Sequence, residues 1–381
     1  MASSVPTSAP RCYDCVVEIT PLTTTPLSAF LACVLAHVVA LFVFPRLGLL
    51  DSPERYGHKR PALPYPTGIL AAAIFVVFLA AYGTTTQDFG LLLSVVALSA
   101  VCFMDDRARL SPWVRLLLQG SVALSLFVTG TRIYTLTNPL ADFGMGEFLK
   151  LDAWTVTLDG VGPLPVVSGL FTVAWIYLTV NALNWFDGVP GQTSLLSTVG
   201  FLTIGFLSLS SRVDQPELAL VAFVLAGLAG GATLFELPAP LQRVVPGDSG
   251  AMFFGLLLGV LTIYAGGKVA TGFLVLGVPL VDSVLVILQR VSSGKSPLKG
   301  SHGGEHLHHR LLAIGWSPWA VIALTVGLGA AFGVTALFLS TFGKFVAGAI
   351  LAAIIATLSF WSGRTSSFRR LRPDASNSQK E

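Results

Sequence analysis

The chain has 381 residues, of which 53% are hydrophobic and 11% charged, with a formal net charge of +3. A soluble globular domain carries about 25% charged residues, so one water-soluble core cannot hold this many apolar runs and still present a polar surface. No nucleic-acid partner is expected.

Residues 1–25 are rich in Ser, Thr and Pro and show no basic segment leading into a cleavable apolar core, so they read as a flexible N-terminal tail. Cys12 and Cys15 make an isolated C-x-x-C with no second pair downstream, which is too little for a zinc site. Apolar runs between Pro, Gly and charged breaks then predict eleven spans. They are 27–45, 67–83, 89–104, 113–130, 163–180, 191–209, 218–236, 249–266, 270–289, 318–338 and 344–361. Between the fourth and fifth, the alternation Trp154-Thr155-Val156-Thr157-Leu158 predicts a short strand turning at Asp159-Gly160. The expected fold class is all-α: a polytopic transmembrane helical bundle of about eleven spans, covering 26–363, with a basic tail over 364–381.

Charge sets the expected direction. With the C-terminus in the cytoplasm, the cytoplasmic segments collect 17 of the Lys and Arg residues and the outer segments 6. The positive-inside rule therefore predicts the N-terminus outside and the C-terminus inside.

On that count the polar clusters emerge on one face. Asp105 and Asp106 end the third span, and Asn181, Asn184 and Asp187 end the fifth at helical spacing. Gly247-Asp248-Ser249-Gly250 opens the eighth; an N-cap is the ordinary reading of Asp248, a phosphate- and metal-approaching loop the chemical one. His302, His306, His308 and His309 follow the ninth, with Glu305 among them and Lys295, Lys299 and Arg310 nearby. Adjacent carboxylates at a membrane edge are costly unless hydrated, paired or metal-bound. Carboxylates suited to a hard cation, beside His and Arg suited to phosphate oxygens, are the combination phosphoryl transfer requires. At headgroup depth, a lipid phosphate can enter sideways while a second substrate arrives from the cytosol.

Six pieces in order carry a resemblance: RYGHKRPALPYPTG from Arg55, FMDDRARLSP from Phe103, NALNWFDGVPG from Asn181, VPGDSGAMFFG from Val245, VPLVDSVLVILQR from Val278 and HLHHRLLAIG from His306. The chain resembles the polyprenyl-phosphate N-acetylhexosamine-1-phosphate transferases over roughly residues 45–315. The H-L-H-H form favours the undecaprenyl-phosphate N-acetylglucosamine-1-phosphate branch over the phospho-N-acetylmuramoyl-pentapeptide branch. The resemblance implies Mg²⁺ dependence, with Mn²⁺ as a substitute, and attack of undecaprenyl phosphate on a UDP-N-acetylhexosamine to release UMP. It places the protein in the plasma (inner) membrane of a bacterial cell envelope with its site facing the cytoplasm, and it admits a homodimer.

Carried over residue by residue, the resemblance makes Asp105, Asp106, Asp187 and Asp248 the catalytic group, with Asp248 and Asp106 toward the metal. Asn184, with Asp187, and His308 with His309 match positions toward the nucleotide-sugar, and Asn181, His306 and Arg310 are grouped with them by spacing and proximity. Asp105 is expected to deprotonate or orient the lipid phosphate, and His308 with His309 to offset charge on the departing UMP. A direct displacement and a two-step route through an aspartyl adduct both fit. The chain departs from the family at Pro190, where a second aspartate is common, at Thr67-Gly68 in place of Gly-Gly, and at Arg115 in place of Lys. Asp282 is expected to be a structural, hydrogen-bonding carboxylate. The competing readings are an anionic-solute transporter, a membrane phosphatase and a nonenzymatic scaffold.

Overall fold

The computed structural model describes residues 12–53, 60–83, 85–108, 110–159, 162–211, 213–266, 269–296 and 305–371. The expectations for Arg55, Gly160, Lys299 and His302 lie outside these residues.

The chain is mostly helical. Helices α1 (Cys12–Arg46), α2 (Thr67–Tyr82), α3 (Thr86–Ala108) and α4 (Pro112–Val128) come first. Strands β1 (Thr135–Thr137), β2 (Phe148–Lys150), β3 (Thr155–Leu158) and β4 (Gly162–Pro165) follow, and then α5 (Val166–Phe186), α6 (Gln192–Leu209), α7 (Pro216–Glu236) and α8 (Gly247–Tyr264). The chain continues through α9 (Val269–Val275), α10 (Gly277–Ser292), α11 (Leu307–Ala313), α12 (Pro318–Phe338) and α13 (Thr341–Leu371). Helix α1 reaches back to Cys12, inside the segment expected as a tail, and α13 runs past the expected boundary at 363.

Among the described residues, eight helices are long and apolar enough to cross a membrane. The pair α9 and α10, bent by 86° at a short break, makes a ninth if it is one span. The remaining two of the eleven expected spans correspond to α2 and α4, which are apolar but only 16 and 17 residues long. The strand expected over 154–158 is β3, which starts one residue later at Thr155 and runs antiparallel to β4. A second small hairpin, β1 with β2, had no counterpart in the sequence reading.

Helix α8 is the centre of the bundle, with every residue from Ser249 to Ile263 buried. A helix apolar on all sides must be surrounded, and α2, α3, α5 and α6 pack around it. Close approach needs small residues at the contact. A Cβ on Gly255 would sit 2.8 Å from the Thr179 carbonyl oxygen and 2.9 Å from Val180 Cα. Trp175 of α5 donates its indole N–H to Thr262 Oγ1 at 2.9 Å, tying the same two helices together. Packing of this kind gathers the ends of α3, α5 and α7 and the starts of α2, α6 and α8 at one end of the bundle, opposite the hairpins between α4 and α5.

Candidate active site

Asp105 and Asp106 lie in the last turn of α3 and face different partners. Asp105 is 5% exposed. Its Oδ1 accepts the Leu110 backbone N–H, and its Oδ2 lies 3.2 Å from Arg115 Nη1. Arg115 stands in the first turn of α4, a helix opened by Ser111 at its N-cap and Pro112 behind it. The same Nη1 lies 2.8 Å from Asp248 Oδ2, so one guanidinium nitrogen bridges two carboxylates.

Asp106 does something different. It accepts hydrogen bonds from Asp248 N at 2.6 Å, Ser249 N at 3.2 Å and Ser249 Oγ at 2.7 Å. The residue at the N-cap of α8, Pro246, makes no side-chain cap, and Asp106 supplies the missing acceptor from another helix. Orphan N–H groups at a helix start favour an anion there. Gly247 makes the approach possible: its φ is +70°, and a Cβ would sit 2.6 Å from Asp106 Oδ2. The N-cap reading of Asp248 is thereby replaced, because Asp248 lies in the first turn with its side chain free to face Arg115 and Asn184.

Asn184, in the last turn of α5, donates Nδ2–H to Asp248 Oδ1 at 3.1 Å. Asn181 lies one turn deeper and is not brought to Asp248. Its Nδ2 donates to Gln119 Oε1 and to the Tyr177 carbonyl, each at 2.8 Å, which joins α4 to α5. Asp187 ends α5 and is half-buried. Burial, followed by the negative charge of Glu236, raises its carboxyl well above the usual range.

The histidine motif docks on the same segment. A Cβ on Gly188 would collide with the His308 ring and sit 2.9 Å from His309 Cε1. The His306 and His308 rings stack with centroids 5.8 Å apart, and those of His308 and His309 are 4.2 Å apart. His308 is 1% exposed, and neither ring nitrogen has a hydrogen-bond partner among the described residues. Burial first, and then the neighbouring His309 and His306, lower its pKa well below the ordinary imidazole value. A neutral imidazole with unused polar atoms suits a polar ligand entering beside it.

Three residues of this region hold the motif in place. Asp282 of α10, expected as a hydrogen-bonding carboxylate, lies with Oδ2 2.7 Å from His306 Nδ1 and accepts the Leu307 N–H at 2.9 Å through Oδ1. Arg310 donates to Ser359 O and Oγ at 3.0 Å and to Gln289 Oε1 at 2.8 Å, clamping α11 to α13 and α10. Glu305 pairs with Arg290 at 2.5 Å.

Among the described residues, no three His, Cys, Asp or Glu side chains converge to hold an ion by themselves. Mg²⁺ is ordinarily held by one or two carboxylates together with substrate phosphates, and the donor set here fits that case. Asp248 is the suitable carboxylate, with a side chain 37% exposed. The oxygens of Asp106 are already engaged with α8. Asp105, Asp106 and Asp248 share this end of the bundle with Arg115, an excess of carboxylates that favours a cation.

The role of Asp106 as a cap, the bridge through Arg115 and the presence of Glu236 were not foreseen from sequence. The one available signal for Glu236 was an acidic residue ending the apolar run 218–235.

The sequence model described as glycosyl transferase family 4 matches residues 89–266, from α3 through α8. The decaprenyl-phosphate N-acetylglucosaminephosphotransferase of Mycolicibacterium smegmatis is 30% identical, with 82% of each chain covered. The probable undecaprenyl-phosphate N-acetylglucosaminyl 1-phosphate transferase of Bacillus subtilis is 27% identical over 78% of each chain. The undecaprenyl-phosphate alpha-N-acetylglucosaminyl 1-phosphate transferase of Escherichia coli K12 is 26% identical, covering 83% of this chain and 84% of the relative.

Proposed function

This chain belongs to glycosyl transferase family 4, in its prenyl-phosphate N-acetylglucosamine-1-phosphate transferase branch, and from that premise we propose the reaction, substrates and residue roles of its site. It transfers N-acetylglucosamine 1-phosphate to a prenyl phosphate. We assign UDP-N-acetylglucosamine as donor and undecaprenyl phosphate as acceptor. An oxygen of the lipid phosphate bonds to the β-phosphorus of the donor, the bond to the bridging oxygen breaks, and UMP leaves with that oxygen.

The observation that carries the residue roles is the continuous chain from Asp105 through Arg115 and Asp248 to Asn184, with Gly188 against His308 immediately beyond it. Mg²⁺, when bound, neutralises the diphosphate and withdraws electron density from the reacting phosphorus. Asp248 would hold it, with substrate phosphates completing the coordination. Asp105 and Arg115 orient the attacking lipid phosphate. With its oxygens engaged by Leu110 N–H and Arg115, Asp105 is better placed to orient than to attack, which favours direct displacement over an aspartyl adduct. His308, buried and with its pKa lowered, donates a hydrogen bond to the departing UMP, and His309 stands beside it.

The chain is a multi-pass membrane protein. Its placement in the inner membrane, eleven spans, the outer N-terminus and a cytoplasmic site complete the proposal. The Lys/Arg bias and the gathering of the site residues at one end of the bundle support it. A transporter would instead concentrate ionisable groups near mid-bilayer.

The test is UMP release by purified protein supplied with undecaprenyl phosphate, a panel of UDP-N-acetylhexosamines and Mg²⁺. UMP formation should require the lipid phosphate and the cation and be fastest with the N-acetylglucosamine donor. Near-normal Mg²⁺-dependent release by Asp248→Asn would sink the assignment of that residue. Inorganic phosphate as the product would indicate a phosphatase instead.

A further inference from the structure

Three buried polar side chains from three helices meet where α2 begins and α7 ends, and no step above uses them. His37 of α1 and Glu236 of α7 are both 0% exposed, as is Thr67 at the start of α2. Thr67 Oγ1 lies 2.5 Å from Glu236 Oε1 and 3.1 Å from His37 Nε2. The other ring nitrogen, Nδ1, lies 2.8 Å from the Cys33 carbonyl oxygen. Among the described residues no Lys or Arg forms an ion pair with Glu236.

The hydrogen-bond inventory constrains the protons. A carbonyl only accepts, so His37 Nδ1 carries a hydrogen. The Thr67 hydroxyl has one hydrogen and stands between two groups. If it donates to Glu236, it accepts from His37 Nε2, and an imidazolium faces a carboxylate. If it donates to His37 Nε2, it accepts from a protonated Glu236, and both groups are neutral. The two arrangements hold the same number of protons and the same net charge of zero. They differ by one proton shifted along the chain of hydrogen bonds, with the Thr67 hydrogen turning from one side to the other. A buried carboxylate without a cation is thus accommodated with no outside counter-charge.

The location gives this unit a use. A Cβ on Gly68, next to Thr67, would collide with Ser249 and Gly250 at the start of α8. A Cβ on Gly191 would sit 3.2 Å from Leu237 Cα and 3.3 Å from the Glu236 carbonyl. The carbonyl of Phe235 accepts from Arg243 N at 2.7 Å and Val244 N at 3.1 Å, closing the connector that leads to Asp248. The Phe235 ring stacks on His37 at 5.3 Å. Three backbone segments that shape the site therefore converge here: the start of α2, the loop after Asp187 and the connector into α8.

We propose that His37, Thr67 and Glu236 form one charge-neutral, proton-sharing unit that positions the Asp187 loop and the start of α8, and that Glu236 is a positioning residue for the transfer reaction. This rests on the function proposed above. Removing one member strands the others, whereas removing the whole unit leaves an apolar contact.

Thr67→Val deletes the hydroxyl at constant shape, and Thr67→Ser restores it. The Val variant should lose about tenfold in kcat with KM for both substrates little changed, and the Ser variant should stay near the parent. Glu236→Gln, whose amide N–H₂ can donate to Thr67 as the protonated carboxyl does, should lose less than the Val variant. His37→Leu and Glu236→Leu should each cost about tenfold or more, and the double variant no more than the worse single. Losses that multiply in the double variant, or a Val variant as active as the parent, would overturn the proposal. The same double-mutant cycle read on thermal unfolding in detergent tests the unit without reference to turnover. If the parent releases no UMP, the functional reading fails, while that cycle still decides whether the three residues act as one.

Discussion

The carboxylate of Asp106 holds the backbone nitrogen of Asp248 at 2.6 Å, so these two acidic residues meet side chain to main chain. That contact explains how a carboxylate from α3 can stand against the helix bearing Asp248. It also separates the roles of two aspartates that look equivalent in sequence.

Asp106→Asn is expected to weaken the start of α8, because the new amide N–H₂ would oppose one of the N–H donors it replaces. Hydrogen bonds to a charged acceptor contribute about 1.5–3 kcal/mol each, so the thermal midpoint should fall together with UMP release. Excess Mg²⁺ should restore neither. Full rescue by Mg²⁺ would show that Asp106 serves chiefly as a metal ligand.

Arg115 contacts Asp105 and Asp248 through one nitrogen. Lysine keeps the charge but loses the planar guanidinium. Arg115→Lys should reduce kcat about tenfold and Arg115→Ala further, since the latter leaves two carboxylates facing each other. Steady-state UMP release would check the order, and an alanine variant more active than the lysine variant would contradict the bridge.

Gly188→Ala places a methyl where the His308 ring lies. The histidine motif must move, and UMP release should fall about a hundredfold while the bundle stays folded, a cost typical of ångström-scale misplacement. Normal turnover by a well-folded Gly188→Ala protein would mean that His308 need not hold this position.

Asp282 orients His306. Asp282→Asn keeps an acceptor for the Leu307 N–H but presents an amide donor to the ring, forcing it to turn or change tautomer. The expected result is a lower kcat with a smaller change in donor KM, measured by the same assay. An unchanged pH–rate profile and kcat would make Asp282 a packing residue only.

Acidification should destabilise the protein through His308. Its folded pKa lies well below the ordinary value of 6.5, so below about pH 6.5 the unfolded chain takes up a proton that the folded chain refuses. Stability is therefore lost as pH falls through that value. Asp187 acts with the opposite sign: its folded carboxyl keeps a proton above the ordinary 3.8, so its contribution is lost as pH rises from there. Thermal midpoints measured across this range should decline on the acid side, and His308→Leu should flatten the decline. An equal decline in the variant would place the responsible group elsewhere.

The helices were legible because apolar runs of membrane length leave the chain few other ways to satisfy its backbone. Strand β3 was legible from its alternation, whereas β1 and β2, three residues each, have no period long enough to read. The acidic and histidine motifs were legible as chemistry from residue type and order. Their division of labour was not. Arg310, grouped by spacing with the phosphate-binding histidines, turns toward α13 because the Ser359 carbonyl and hydroxyl lie within reach.

Sequence by itself determined that this is a helical membrane protein with carboxylates and histidines at helix ends and loops, since both follow from local composition and spacing. Only the tertiary structure decided that Asp106 caps α8 while Asp248 faces Arg115 and Asn184. The partners of those side chains are 142, 133 and 64 positions away, and a hydrogen bond depends on which atoms the packed helices bring within about 3 Å.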